Sequence, residues 1–115
     1  MAVKETPETF TRDDLIYAAG FMDGEGCFEI LVPAHKSCVR VKMANSYRPV
    51  VEWFHEKFGG TFTECGVVSK RPIYSWGING INAERFCIAI SEHLKEKKPQ
   101  CEFLIEHRKL GQYGR

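Results

Sequence analysis

The chain reads as an α+β domain, on three observations. Two pairs of segments, 27–32 with 38–43 and 61–65 with 73–78, alternate apolar and polar residues and form candidate hairpins. Helical patterns with start and stop signals precede, separate and follow them. At 115 residues, 43% hydrophobic and 27% charged, the chain suits one globular domain over 1–115, long enough to bury one core. The predicted order is α-β-β-α-β-β-α-α, without internal repeat or linker, with helices on one face of a four-stranded antiparallel sheet.

Each element has a local reason. Helix 1 starts at Thr11, an N-cap whose third successor, Asp14, completes a capping box, with Phe10 and Leu15 at staple positions. It should run over about 12–24 and stop at Gly24. In the first strand Phe28, Ile30 and Val32 share one face, and Cys27, Glu29 and Leu31 the other. After a turn at 33–37, Val39, Val41 and Met43 point inward, and Cys38, Arg40 and Lys42 outward. Pro49 sits in the first turn of helix 2. Its apolar side is Val50, Val51, Trp53, Phe54 and Phe58, and Gly59-Gly60 stops it. The third and fourth strands, 61–65 and 73–78, flank a loop carrying Lys70-Arg71-Pro72. Asn82 is the expected cap of helix 3, with Ile81 and Phe86 in staple positions and Phe86, Ile90 and Leu94 as its buried stripe. A lysine-rich link over 95–98 leads through Pro99 to helix 4, which Gly111 should end.

Composition narrows the function classes. No apolar run approaches the ~20 residues that span a bilayer, and 1–10 lacks the apolar stretch of a secretory signal. Cys27, Cys38, Cys65, Cys87 and Cys101 are odd in number and show no CxxC spacing, so they are expected as buried or half-buried thiols in a reducing, intracellular setting. His35, His55, His93 and His107 do not stand at metal-ligand spacing with them, which argues against a zinc site. The net charge is only +1, so any attraction to phosphate must come from local clustering of basic side chains.

The most informative segment is 18–28, Ala-Ala-Gly-Phe-Met-Asp-Gly-Glu-Gly-Cys-Phe. Its front half is small enough for a second helix to approach closely. Its back half sets Asp23 and Glu25 between glycines, where uncovered carbonyls beside a carboxylate suit a hard divalent cation. This segment resembles the LAGLIDADG motif of homing endonucleases, in the variant ending Gly-Phe-x-Asp-Gly-Glu-Gly, and the element order over about 12–110 is similar to that family's core with its saddle-like sheet.

The resemblance implies a metal-dependent endodeoxyribonuclease that hydrolyses both strands of duplex DNA, encoded in an intron or other mobile element of a phage, bacterial or organellar genome. With one motif copy, the chain would act as a homodimer packed through Ala18, Gly20, Phe21 and Gly24. Glu25, with the Gly24 carbonyl, would ligate Mg²⁺ or another divalent cation such as Mn²⁺; Asp23 would cap or hydrogen-bond the helix end. The family carries a basic residue near the scissile phosphate in a Lys-x-Lys followed by Gln; 95–100, Lys-Glu-Lys-Lys-Pro-Gln, is similar and points to Lys97, or to Lys95 or Lys98 if the register slips. Asn45 stands where the family often has a solvent-organising Gln. Arg40, Lys42, Lys70, Arg71, Tyr74 and Trp76 are the candidate DNA contacts, with Glu29 able to accept from cytosine N4. The alternative is a protein of the same fold that binds DNA or RNA without cutting, such as an intron maturase or a regulator.

Overall fold

The computed structural model describes residues 10–30 and 39–113, with side chains through residue 108. Along it run α1 (Arg12–Glu25), β1 (Gly26–Ile30), β2 (Val39–Asn45), α2 (Arg48–Phe58), β3 (Thr61–Val68), β4 (Arg71–Asn79), α3 (Gly80–Ile90), a 3₁₀ turn (Ser91–His93) and α4 (Lys98–Tyr113). The order is the one expected from sequence. The tail over 1–9, Leu31, Val32, the turn at 33–37 and Cys38 fall outside the described residues.

The start of α1 is a full capping box: the Thr11 hydroxyl accepts from the Asp14 amide at 3.2 Å, and the Thr11 amide donates to the Asp14 carboxylate at 2.9 Å. Its end differs from the expectation. Gly24 keeps a helical backbone, and the helix runs on through Glu25 until Gly26 turns the chain into β1. A Cβ at Gly26 would collide with the Met22 side chain and carbonyl oxygen, so this glycine permits the tight passage from helix to strand.

The strands form one antiparallel sheet, ordered β1-β2-β4-β3. Val39, Val41 and Met43 on β2 and Tyr74, Trp76 and Ile78 on β4 point to the helical side and are buried there. Met22, Val51, Phe54, Phe86, Ile90, Cys101 and Leu104 complete this core from the helices, and Leu94, expected on helix 3, joins it from the extended link after the 3₁₀ turn. Trp76 is its centre: the ring is 1% exposed, packs against Phe54 and Phe86, and donates its indole N–H to the Gly59 carbonyl at 2.7 Å. Gly60 is held with φ +86, and a Cβ there would run into the Gly77 carbonyl of β4.

Several local expectations are corrected. β3 and β4 extend well beyond 61–65 and 73–78, because a bulge between Glu64 and Gly66 restores pairing after the alternation breaks. The turn is Ser69-Lys70, both with positive φ (51 and 67), the backbone of a two-residue hairpin; Arg71 and Pro72 belong to β4. α3 begins at Gly80, whose left-handed backbone leads straight out of β4, so Asn82 lies inside the helix and Ile81 is 44% exposed. α4 continues past Gly111 to Tyr113. Cys27 and Cys65 are exposed on the sheet; only Cys87 and Cys101 among the described cysteines are buried. No helix among the described residues is long and apolar enough to cross a membrane.

Candidate functional site

The junction of α1 with β1 gathers groups far apart in sequence. Glu25 is exposed at the last position of α1. The turn before α4 docks beneath it by two sets of bonds. The Asp23 carboxylate accepts the amides of Lys95 (2.8 Å), Glu96 (3.1 Å) and Lys97 (2.9 Å). In return the Lys97 ammonium donates to the carbonyls of Met22 (3.2 Å) and Gly26 (2.9 Å), which bracket Glu25 along the chain. Desolvation opposes ionisation of Asp23, but the three amides and the Lys97 charge outweigh it and hold the carboxyl below its ordinary value. Asp23 therefore does not cap its own helix. It binds a turn more than seventy residues away, a role no local signal announces.

Glu25 also lines an open concavity of about 460 Å³ with Ala44, Asn45, Ser46, Val68, Ser69, Arg71 and Ile73. Thus the end of α1, the end of β2 and the tip of the β3–β4 ribbon meet at one end of the sheet. The Asn45 side-chain oxygen accepts the Tyr47 amide at 2.8 Å and so shapes the exit from β2. Glu25, Asn45 and Arg71 are brought together here, with Lys97 adjoining through Gly26. Ser46, Val68, Ser69 and Ile73 were not anticipated; the parity of β4 could have placed Ile73, since it alternates with the inward Tyr74.

The outer face of the sheet carries the basic side chains. Glu29 lies opposite Arg40 in the β1–β2 register and binds both Arg40 (2.9 Å) and Lys42 (3.3 Å). Burial opposes its ionisation, yet hydrogen bonds from Arg40 and Lys42 and their charges hold its carboxyl below the ordinary range. Burial, then the Glu29 charge, pushes the neighbouring Cys27 thiol up. Lys70 and Arg71 are exposed at the ribbon tip, and Val67 and Val68 beside them are 67% and 61% exposed. Tyr74 and Trp76 are not on this face, contrary to expectation. Period-two spacing with Ile78 turns all three toward the helices, where Tyr74 stacks on Phe62 at 6.0 Å beneath the Arg48 guanidinium.

On the outer side of α1, Ile16, Tyr17, Gly20 and Gly24 are exposed, and a Cβ on either glycine would meet nothing within 4 Å. Ala18, expected on this face, is fully buried in its own chain, and Phe21 packs against Phe54 at 5.4 Å. The helical period separates them: 18, 19 and 22 face inward, 16, 17, 20 and 24 outward.

Among the described residues no three His, Cys, Asp or Glu side chains cluster as a metal site. Mg²⁺ is commonly held by one or two carboxylates with water and substrate phosphates supplying the rest, so a single exposed Glu25 beside backbone carbonyls is a fitting protein share.

No family model matches the chain, and no curated protein does. Solved structures do. The fold is similar to that of the homing endonuclease I-CvuI in complex with its target in the presence of calcium, with a TM-score of 0.76 and 14% identity over 90% of this chain and 70% of that one. It is similar to I-CvuI with the I-CreI target and magnesium, where the DNA is not cleaved, with a TM-score of 0.73 and 14% identity over 89% and 69%. The archaeal intron-encoded homing endonuclease I-Vdi141I, complexed with DNA, gives a TM-score of 0.66 and 17% identity over 84% and 67%. The chain therefore has the homing endonuclease fold.

Proposed function

We propose that this protein is a homodimeric, divalent-metal-dependent endonuclease that recognises duplex DNA with the outer face of its sheet and cuts both strands. One observation carries this reading: Glu25 stands exposed at the end of α1, with the Lys97 ammonium bound to the carbonyls on either side of it and Asn45 on the same concavity. The solved structures of this fold that carry DNA support the substrate class.

Each residue has a role set by its chemistry. Glu25 supplies the carboxylate oxygens, and the Gly24 carbonyl a further hard ligand. A bound Mg²⁺ or Mn²⁺ would lower the pKa of water and stabilise the leaving oxygen. Lys97 holds positive charge where negative charge grows on the phosphate, and Asn45 orders solvent. Arg40, Lys42, Lys70 and Arg71 hold phosphates or read guanine, and Glu29 can accept from cytosine N4. The open Gly20/Gly24 face brings a second copy close, placing two Glu25 carboxylates near one axis. A second reading, a non-cutting DNA- or RNA-binding protein of the same fold, draws on two observations: Glu29 pairs with both Arg40 and Lys42 in the free chain and offsets one of their charges, and the Lys97 ammonium is already bound to two carbonyls.

A plasmid library assayed with and without Mg²⁺, using wild type and Glu25→Gln, separates the two. The endonuclease reading expects Mg²⁺-dependent double-strand cuts, lost in Glu25→Gln while DNA binding persists. Binding without cuts under any divalent cation favours the second reading. Wild-type cutting by Glu25→Gln removes Glu25 from the metal site.

A further inference from the structure

We propose that Asp23 is the positioning residue for Lys97: through the main chain of the turn before α4 it fixes where the Lys97 ammonium sits beside Glu25. The consequence for cleavage rests on the endonuclease reading above; the placement itself does not.

An acidic residue in the last turn of α1 is electrostatically misplaced, because the C-terminal end of a helix is its negative end. Asp23 is stable there only with compensation, and the structure shows the source. Three successive amides, of Lys95, Glu96 and Lys97, converge on its two oxygens. These are charge-assisted bonds, a class stronger than neutral ones. They lie just ahead of α4, where the Lys97 carbonyl accepts the Cys101 amide at 3.0 Å and starts the helical ladder. Lys97 is thus held at its amide by Asp23, at its carbonyl by α4, and at its ammonium by Met22 and Gly26.

The side-chain bonds alone would not suffice. A lysine stem has four carbons of rotatable freedom, and two neutral carbonyls on a helix end are open to competition from water and from Lys95 and Lys98 nearby. Anchoring the Lys97 backbone limits the volume its ammonium can reach and selects Lys97 over its neighbours. Among the described residues, neither the side chain of Lys95, whose amide takes the other Asp23 oxygen, nor that of Lys98, the first residue of α4, bonds to this junction.

Asp23→Asn tests this with nearly the same shape, since it exchanges one acceptor oxygen for an NH₂ that confronts an amide N–H. Wild type, Asp23→Asn, Lys97→Ala and the double variant are compared, with folding checked by circular dichroism. The first readout is the rate at which an acetylating reagent modifies the Lys97 amine, resolved by peptide mass spectrometry. In wild type Lys97 should react more slowly than Lys95 and Lys98; in Asp23→Asn it should approach their rates. The second is single-turnover cleavage with DNA affinity measured in parallel. A displacement of about 1 Å in a catalytic group costs up to ~10²-fold in rate, so Asp23→Asn should lose rate on that scale with unchanged affinity. The double variant should be no slower than Lys97→Ala alone. Asp23→Glu keeps the charge but moves it by one methylene; it should show an intermediate loss, and takes the place of Asp23→Asn if that variant does not fold. Unchanged Lys97 reactivity in a folded Asp23 variant overturns the proposal, as does a double variant markedly slower than Lys97→Ala. If Lys97→Ala cleaves like wild type, the catalytic role given to Lys97 falls, and the acetylation rates alone decide the positioning.

Discussion

Replacing Gly20 should act with opposite sign on the protomer and on the dimer. Gly20 is exposed in the interior of α1, and a Cβ there meets no atom within 4 Å in its own chain. Gly20→Ala therefore brings only the propensity gain, ~0.8–1.0 kcal/mol per protomer, or roughly 3–4 °C in Tm for a domain of this size. That gain is present in monomer and dimer alike and cancels from association. In the proposed dimer, the same methyl would enter a close helix–helix contact, where an inserted group costs ~1–3 kcal/mol. The two-fold relation doubles it to ~2–6 kcal/mol per dimer, and at 1.4 kcal/mol per decade this weakens the dissociation constant by roughly 30- to 2 × 10⁴-fold. Gly20→Leu, larger still, should leave only monomer. Sedimentation velocity over a concentration series gives the association constant, and urea melts at the dilute end give the protomer stability. The reasoning is refuted if wild type sediments as a monomer at tens of micromolar, or if Gly20→Leu leaves the dimer intact. A destabilised protomer would show instead that this face packs within the chain.

Trp76→Phe should lower stability by ~1–3 kcal/mol in urea melts, from a lost hydrogen bond and a partly unfilled core, and leave DNA affinity unchanged; the reverse outcome would return Trp76 to the DNA face. Gly26→Ala should destabilise by ~1–3 kcal/mol, because its Cβ presses on the Met22 carbonyl; a melt matching wild type would show that the junction relaxes at no cost. Glu29→Gln should tighten DNA binding at neutral pH by freeing Arg40 and Lys42, and lower stability only where Glu29 is charged. Its carboxyl is depressed in the folded chain, so its contribution is present above the ordinary 4.5 and fades as pH falls through the lower folded value. Melts of the two proteins should therefore converge below that pH, and a constant gap would argue against the ion pairs. With ~6–10 phosphate contacts per dimer, the log–log salt slope of binding should be roughly −5 to −9, and a flat dependence would point away from nucleic acid.

What the sequence revealed followed the range of the interactions. The start of α1 was legible because Thr11 and Asp14 cap each other within one turn. The facing of β2 was legible because Val39, Val41 and Met43 alternate cleanly with Arg40 and Lys42. The ends of helices misled, because a glycine is only a local stop signal: α1 continues past Gly24 to Glu25, and α4 past Gly111 to Tyr113. The β3–β4 ribbon misled differently. Its bulge at Cys65 broke the period, and the aromatic Tyr74 and Trp76 drew a DNA-facing reading although Ile78 continues their alternation inward. Around the candidate site, Glu25 stood out through its motif, whereas the Asp23 partners lie at 95–97 and left no trace near it.

Two helix ends of opposite polarity meet at this junction and hold one another in place. The C-terminal end of α1 presents carbonyls and attracts a cation, and Lys97 answers it at Met22 and Gly26. The amides just ahead of α4 attract an anion, and Asp23 answers them. Each helix thus supplies the counter-charge for the other. Both exchanges involve main-chain groups, which cannot rotate away as surface ion pairs do, so the arrangement depends less on salt than the Glu29 cluster on the sheet. Glu25, lying between the two carbonyls that Lys97 holds, inherits that fixed position without spending its own carboxylate on it. Its oxygens stay exposed at the α1 end, which is the condition a carboxylate must meet to share a cation with a phosphate and a second copy of the chain.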